Sequence, residues 1–462
     1  MLKRAAWEKM ARWKDRPHHP LVIGGLRQVG KTYIVREFGR ANYPNVVYLD
    51  LRANTAAHAA FEGNFSVDEM TLSITAIDPS ARFVPQETLL ILDEIQDCPN
   101  ARSSLKYWGL DGRYDVIATG SFLGVKGFRD PYRRGIPVGY EEHLPMHPLS
   151  FREFLQAVGV TDNVTDHVKQ ALETRTPVLP AVHASMRALY YQYLVVGGMP
   201  EAVNVFLATH DLNAVQEVQR RILASIREDF GRYRGEDGAD RVNETLKLRA
   251  EACLDSLPAQ LAKEYKKFQY SLVNAKGNSP QKADGLQYLA DTGLVVKAYN
   301  LREISAPLEG AKIPREFKVF FADTGLLISQ LEHGTAAGVL QGNLSAYKGA
   351  IAENMVATAL NAESVQPYYY HAPSGSPEID FVFSDGGTPT LVECKSTNNR
   401  MTSMRYVLEH PKKYGIHPAV KFADTNVSGG QGFVTYPHYA LGFLEMREHR
   451  LVVPEVIIPT LP

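Results

Sequence analysis

The chain has 462 residues, too many for one ordinary hydrophobic core, so two to four domains are expected. With 45% hydrophobic residues and a formal net charge of -1, it is not a chain dominated by a basic nucleic-acid-binding tail, although local basic patches remain compatible. No stretch has the length and apolarity of a membrane span.

The opening MLKRAAWEKMARWKDRPHHP lacks a secretory h-region, so a cytoplasmic protein is expected. Cys98, Cys253 and Cys394 lie far apart without a CxxC pair, which argues for reduced core thiols rather than a disulfide or zinc framework. The first part alternates apolar runs (LVIGG, NVVYLDL, TLLILDE, YDVIATGS) with helical segments such as KTYIVREFGR and SVDEMTLSITAI. That alternation predicts an α/β domain with a mostly parallel sheet, over 1–160. Past HLPMHPLSFREFL the pattern is helical to about Arg234, a lid over 161–236, and GRYRGEDGAD reads as a linker.

RVNETLKLRAEACLDSLPAQLAKEYKKFQY predicts two or three helices and KADGLQYLADTGL another, before the short strands LVVKAYNL and FKVFFAD. Helices followed by a hairpin suggest a winged-helix domain, over 237–335. The last region, 340–462, opens with the helix KGAIAENMVATALNA. The strands SVQPYYYH, EIDFVFSD and TLVECK follow, then helical TSMRYVLEHPKKYG and a strand near PAVKFAD.

GGLRQVGKT places Gly25, Gly30, Lys31 and Thr32 in phosphate-loop spacing between an apolar strand and a helix. The run from Gly25 through Arg27, Gln28 and Val29 to Tyr33 is the expected ATP-binding loop, its backbone N–H groups turned toward the phosphates. Lys31 is expected to neutralise β/γ-oxygens, and the Thr32 hydroxyl to meet Mg²⁺. In LLILDEIQD, Asp93 and Glu94 emerge at the C-terminal edge of the sheet, Asp93 to hold Mg²⁺ and Glu94 to orient the attacking water. VIATGS ends in Thr119 and Ser121, placed to sense the γ-phosphate or to make turn hydrogen bonds. Lys126, Arg129, Arg133 and Arg134 form a basic loop that either reaches a neighbouring subunit's nucleotide or stays solvated.

Three E-x-K triplets occur: Glu264 with Lys266, Glu316 with Lys318, and Glu393 with Lys395. Only the third sits on an apolar strand preceded by a strand that begins with carboxylates, Glu378 and Asp380. A turn through SDGGTP would pair the two strands, letting Asp380 and Glu393 share a Mg²⁺ while Glu353 adds a carboxylate from the preceding helix. Lys395 would hold a metal-bound water or neutralise developing phosphorane charge, and Cys394 would face the core. The competing reading is a degenerate nuclease fold whose carboxylates and lysine pair with each other. AKEYKKFQYSLVNAKG interleaves Lys263, Lys266 and Lys267 with Tyr265, Phe268 and Tyr270, a pattern for DNA phosphate contact or for a helix with aromatic and basic faces. Tyr368, Tyr369 and Tyr370 read as strand packing.

The ordered series GGLRQVGKT, LLILDEIQD, TGS, HPLSFREFL, GGMPEAV, FKVFFADTGLL, KGAIAENMV, EIDFVF and VECKS resembles a bacterial and archaeal group of AAA-family ATPases. The resemblance runs from about residue 20 to about 425. It implies an AAA-like core, a winged-helix middle and a C-terminal restriction-endonuclease-like α/β domain of the PD-(D/E)xK kind. It also implies Lys31, Thr32, Asp93 and Glu94 at the nucleotide, and Glu353, Asp380, Glu393 and Lys395 in the end domain. A homo-oligomer, as a ring of six, follows from the same resemblance. Tyr140 departs from it, since many members carry a basic residue there. The expected function is therefore an ATP-hydrolysing protein acting on DNA through a metal-dependent nuclease-like domain. The alternative is an ATP-switched DNA- or protein-binding module whose nuclease fold is catalytically silent.

Overall fold

LVIGG is buried at all five positions, as a strand covered on both faces must be. The computed structural model describes residues 2–121, 139–234, 240–263, 265–332, 334–341, 347–395, 401–430 and 432–443. Strands β1 (Leu21–Gly25), β2 (Asn45–Asp50), β3 (Thr88–Asp93), β4 (Asp115–Ser121) and β5 (Glu142–Met146) lie in the order β2-β3-β4-β1-β5. Every neighbouring pair is parallel. Alternate residues divide between two cores. Ile23, Leu89, Ile91 and Ile117 pack with α1 (Ala5–Lys14) and α2 (Lys31–Asn42), while Val22, Leu90, Leu92 and Val116 pack with α3 (Val67–Ile77) and α4 (Pro99–Asp111). Because β4 lies between β1 and β3, the glycine loop and Asp93 flank one crevice at the C-terminal edge.

Ser150 opens α5 (Phe151–Ala157) with a capping box completed by Glu153. Helices α6 (Asp162–Thr174), α7 (Pro180–Val196), α8 (Pro200–Thr209) and α9 (Leu212–Glu228) follow. The Arg4 guanidinium ties this region to the glycine loop: it donates to the Val29 carbonyl at 2.9 Å and the His147 carbonyl at 2.6 Å, and pairs with Glu153 at 3.2 Å.

A short ribbon of β6 (Arg232–Arg234) and β7 (Asp240–Val242) leads to α10 (Glu244–Leu261) and α11 (Ser279–Asp291). Where the sequence suggests two or three helices before Tyr270, the described residues form one. Pro258 occupies its last turn, and the chain beyond it docks beside the following hairpin. The Phe268 N–H donates to the Phe317 carbonyl at 2.8 Å, and their rings stack with centroids 6.0 Å apart.

The hairpin is β8 (Val295–Leu301) and β9 (Lys312–Phe321), antiparallel. It is not a free wing. β8 also pairs in parallel with β10 (Tyr368–His371), so the hairpin belongs to the C-terminal sheet. That sheet continues through β11 (Glu378–Asp385), β12 (Thr388–Lys395) and β13 (Ala419–Ala423) to β14 (Ser428–Gly429) and β15 (Val434–Pro437). Its order is β14-β15-β13-β12-β11-β10-β8-β9. Tyr368, Tyr369 and Tyr370 are all buried in it, as packing residues. No helix among the described residues is long and apolar enough to cross a membrane.

GGMPEAV and FKVFFADTGLL meet in space at Asp323, the N-cap of α12 (Thr324–Ser329). Its fully buried carboxylate accepts from the Leu326 N–H at 2.9 Å and the Gly198 N–H at 2.6 Å. A side chain at Gly197 would collide with it, which explains the glycine. Asp323→Ala orphans both buried donors, so a loss of about 2 kcal/mol or more is expected, read as an earlier midpoint in urea unfolding.

Candidate functional site

Two clusters carry the residues singled out from sequence. The first lies at the C-terminal edge of the parallel sheet. Gly25 ends β1 where a Cβ would strike the Met146 carbonyl of β5, and Gly30, at φ +91°, caps α2. Lys31 lies buried beneath the loop and donates to the Gly25 and Leu26 carbonyls, each at 3.1 Å; burial lowers its pKa from the ordinary value. Asp93 is the hub. It accepts from the Thr32 hydroxyl at 3.1 Å and from the Tyr48 hydroxyl at 2.7 Å, and the Thr119 hydroxyl also donates to it. Residues from β2, β3, β4 and α2 thus converge on one carboxylate.

Glu94 follows with φ +53°, a left-handed backbone uncommon for glutamate, and its carboxylate is held by the Gln96 amide. Arg27 pairs with Asp229 just beyond α9, and the Gln28 amide reaches Ser225 on α9 at 3.4 Å. Val29 is buried, Tyr33 is exposed, and Ser121 ends β4 partly buried. Lys126, Arg129, Arg133 and Arg134 lie outside the described residues. Tyr140 lies under the Lys106 ammonium, 5.0 Å from the ring centroid.

The second cluster sits on one face of the C-terminal sheet. Phe381 opposes Val392 in the β11–β12 ladder, so Asp380 and Glu393 come next to each other on the same face. Lys395 Nζ lies 2.7 Å from Glu393 and 3.5 Å from Asp380, whose other contact is the Cys394 N–H at 2.9 Å. Glu353 arrives from α13 (Lys348–Ala362), and Lys266 Nζ lies 2.6 Å from its Oε1. Lys318, from β9, lies 3.0 Å from Glu378 and 3.8 Å from Glu353 Oε2. The Cys394 side chain is buried.

Burial opposes charge throughout, and neighbours decide each outcome. Burial and the Asp380 carboxylate push Glu393 up to about 8 against the pull of Lys395. Burial and Glu353 raise Asp380 as well, whereas Lys318 and Lys266 overcome burial at Glu353 and hold it below its ordinary value. Oε2 of Glu353 and Oε2 of Glu393 are buried without a hydrogen-bond partner. Orphaned carboxylate oxygens suit a hard divalent cation. Even so, no three His, Cys, Asp or Glu side chains among the described residues are grouped to hold one; each of the four carboxylates faces an ammonium group.

Residues 17–155 match the family model of the AAA domain. The N-terminal part is an AAA-type P-loop domain. Beyond this AAA domain, residues 187–336 and 348–439 match models of two domains of unknown function, DUF8612 and DUF4143. No curated protein matches the chain. Among solved structures it is similar to the Walker-type ATPase PABY2304 of Pyrococcus abyssi, at 14% identity and TM-score 0.42, over 71% of this chain and 96% of that one. It is also similar to the Thermotoga maritima RuvB Holliday junction branch migration motor, at 12% identity and TM-score 0.30, over 69% and 92% of the two chains. Cdc6p from Pyrobaculum aerophilum shows 13% identity and TM-score 0.26, over 63% and 86%.

Sequence reasoning missed Lys318, Lys266 as a partner of Glu353, Tyr48 and Arg4. Lys318 belongs to an E-x-K triplet set aside because no acidic strand precedes it; its acidic partners come later in the chain. The available signal was a lysine among the apolar residues of FKVFF. At the AAA domain, Gly25→Ala forces the loop away from β5 and is expected to weaken nucleotide binding about tenfold or more, measured by titration with a fluorescent ATP analogue.

Proposed function

We propose that the protein is an ATP-hydrolysing AAA-type machine acting on DNA, whose nucleotide state controls the carboxylate–lysine cluster of its C-terminal region. The observation that carries the reading is Asp93, placed at the sheet edge with the Thr32 and Thr119 hydroxyls on its carboxylate. In this reading Lys31 leaves the loop carbonyls to bind β/γ-oxygens, Glu94 accepts the proton of the attacking water, and Thr119 positions that water. The loop from Gly25 to Tyr33 cradles ATP. A Mg²⁺ held through Thr32 and Asp93 supplies charge neutralisation on the phosphates.

The division proposed is an AAA-like core over 1–160, a helical lid over 161–236, a winged-helix domain over 237–335 and a restriction-endonuclease-like domain over 340–462. Two helices ahead of an antiparallel hairpin support the third, its hairpin joined through β8 and β10 to the sheet of the fourth, and Asp380, Glu393 and Lys395 on adjacent strands with Glu353 from a helix support the fourth. Asp380, Glu393 and Glu353 would hold a divalent cation, which would polarise a water and the substrate phosphate. Lys395 neutralises charge developing on the phosphorus oxygens. Assembly as a ring of six, with a cytoplasmic setting, completes the proposal.

A second reading is favoured by the ammonium group facing each of those carboxylates: an ATP-switched DNA-binding module that does not cut. One experiment separates the two. Single-stranded, duplex and branched DNA are incubated with Mg²⁺ or Mn²⁺, with and without ATP. Lys31→Ala is expected to abolish ATP binding. Glu94→Gln is expected to keep binding and lower turnover about 100-fold or more. Cutting that is lost in Lys395→Ala supports the nuclease reading; normal ATP hydrolysis without cutting supports the switch. Failure of Lys31→Ala to change ATP hydrolysis sinks the proposal at its root.

A further inference from the structure

Lys318 is among the most enclosed charges of the described chain, with a side chain only 2% exposed. A buried ammonium needs a counter-charge, and Lys318 Nζ finds two, 3.0 Å from Glu378 and 3.8 Å from Glu353. The residue does not belong to the strands that carry the acidic pair. It leaves β9, crosses two intervening strands, β8 and β10, and passes over the Tyr369 ring at 4.8 Å from its centroid. Lys266 approaches the other oxygen of Glu353 from the chain after α10. Both lysines therefore come from the segment between the lid and α13, and both end on carboxylates of the C-terminal cluster.

These carboxylates form one cluster bridged by ammonium groups: Lys395 lies 2.7 Å from Glu393 and 3.5 Å from Asp380, and Lys318 lies 3.0 Å from Glu378 and 3.8 Å from Glu353. Neutralising Glu353 and Glu378 from outside lowers the negative potential on which a divalent cation depends. The Oε2 atoms of Glu353 and Glu393, which accept no hydrogen bond, remain as buried acceptors beside these ammonium groups.

We propose that Lys318 and Lys266 are built-in counter-ions that hold the carboxylate cluster in a cation-poor resting form, in competition with a divalent metal. The inference rests on the reading of Asp380, Glu393 and Glu353 as a divalent-cation site. It adds that the middle segment regulates that site by occupying its charge. Stability alone does not call for such a cluster, because apolar groups of similar volume serve a buried position as well as ion pairs do.

The test is Mn²⁺ binding to the full chain without nucleotide, read by the electron paramagnetic resonance of free Mn²⁺ and by thermal unfolding with and without the ion. Lys318→Met and Lys266→Gln are each expected to bind Mn²⁺ about tenfold more tightly than the unaltered protein. Adding Glu393→Gln to either is expected to remove the gain. Lys266, nearer the rim, carries the test if Lys318→Met fails to fold. Equal affinity in the unaltered protein and both lysine variants overturns the counter-ion role and leaves the cation site standing. A gain that survives Glu393→Gln overturns it too, by placing the ion elsewhere. Absence of Mn²⁺ binding in every protein overturns both the inference and the cation-site reading.

Discussion

The parallel pairing of β8 with β10 is the constraint on which the C-terminal half depends. Tyr299, Asn300 and Leu301 align with Tyr368, Tyr369 and Tyr370, and that register carries the β8–β9 hairpin into the sheet of β11 and β12. Asn300 reinforces the join: its side-chain oxygen accepts from the His371 N–H at 2.9 Å, and its amide donates to Glu316 at 2.8 Å. With β9 so fixed, Lys318 reaches Glu378 and Glu353. Two residues past the end of the same strand, Asp323 takes the Gly198 N–H of the segment between α7 and α8. One strand thus touches the acidic cluster and the helical region packed on the AAA domain.

The two clusters handle buried charge in different ways. Asp93 is met by hydroxyl groups, which satisfy a carboxylate without adding charge. The C-terminal carboxylates are met by ammonium groups, which change the net charge of the site as well as its hydrogen bonding. A hydroxyl can yield to an incoming ion at small electrostatic cost, whereas an ammonium must be displaced against its own attraction.

Ties between distant segments also converge on the nucleotide loop. Arg4 holds the Val29 carbonyl from the N-terminus, while Arg27 and Gln28 contact Asp229 and Ser225 at the end of the helical region. Further out, Arg187 on α7 pairs with Asp424 beyond β13 at 2.6 Å, and Tyr191 donates to the same carboxylate at 3.0 Å. The loop is thereby connected to elements on either side of it through polar contacts as well as through the shared apolar core.

Local pattern determined the elements and the motif positions. Runs such as LVIGG and TLLILD are buried at every position because both faces are covered, and in the loop Gly25 stands where a side chain would strike β5 while Gly30 takes a positive φ. The placement of Glu393 and Lys395 on one face, with Cys394 opposite, followed from the two-residue period of a strand. Tertiary structure alone decided which charges meet. Lys266 is 87 residues from Glu353, and Lys318 is 60 from Glu378. No periodicity spans such separations: strand order and the docking of 265–269 beside β9 set those distances, and they depend on the packing of the whole chain.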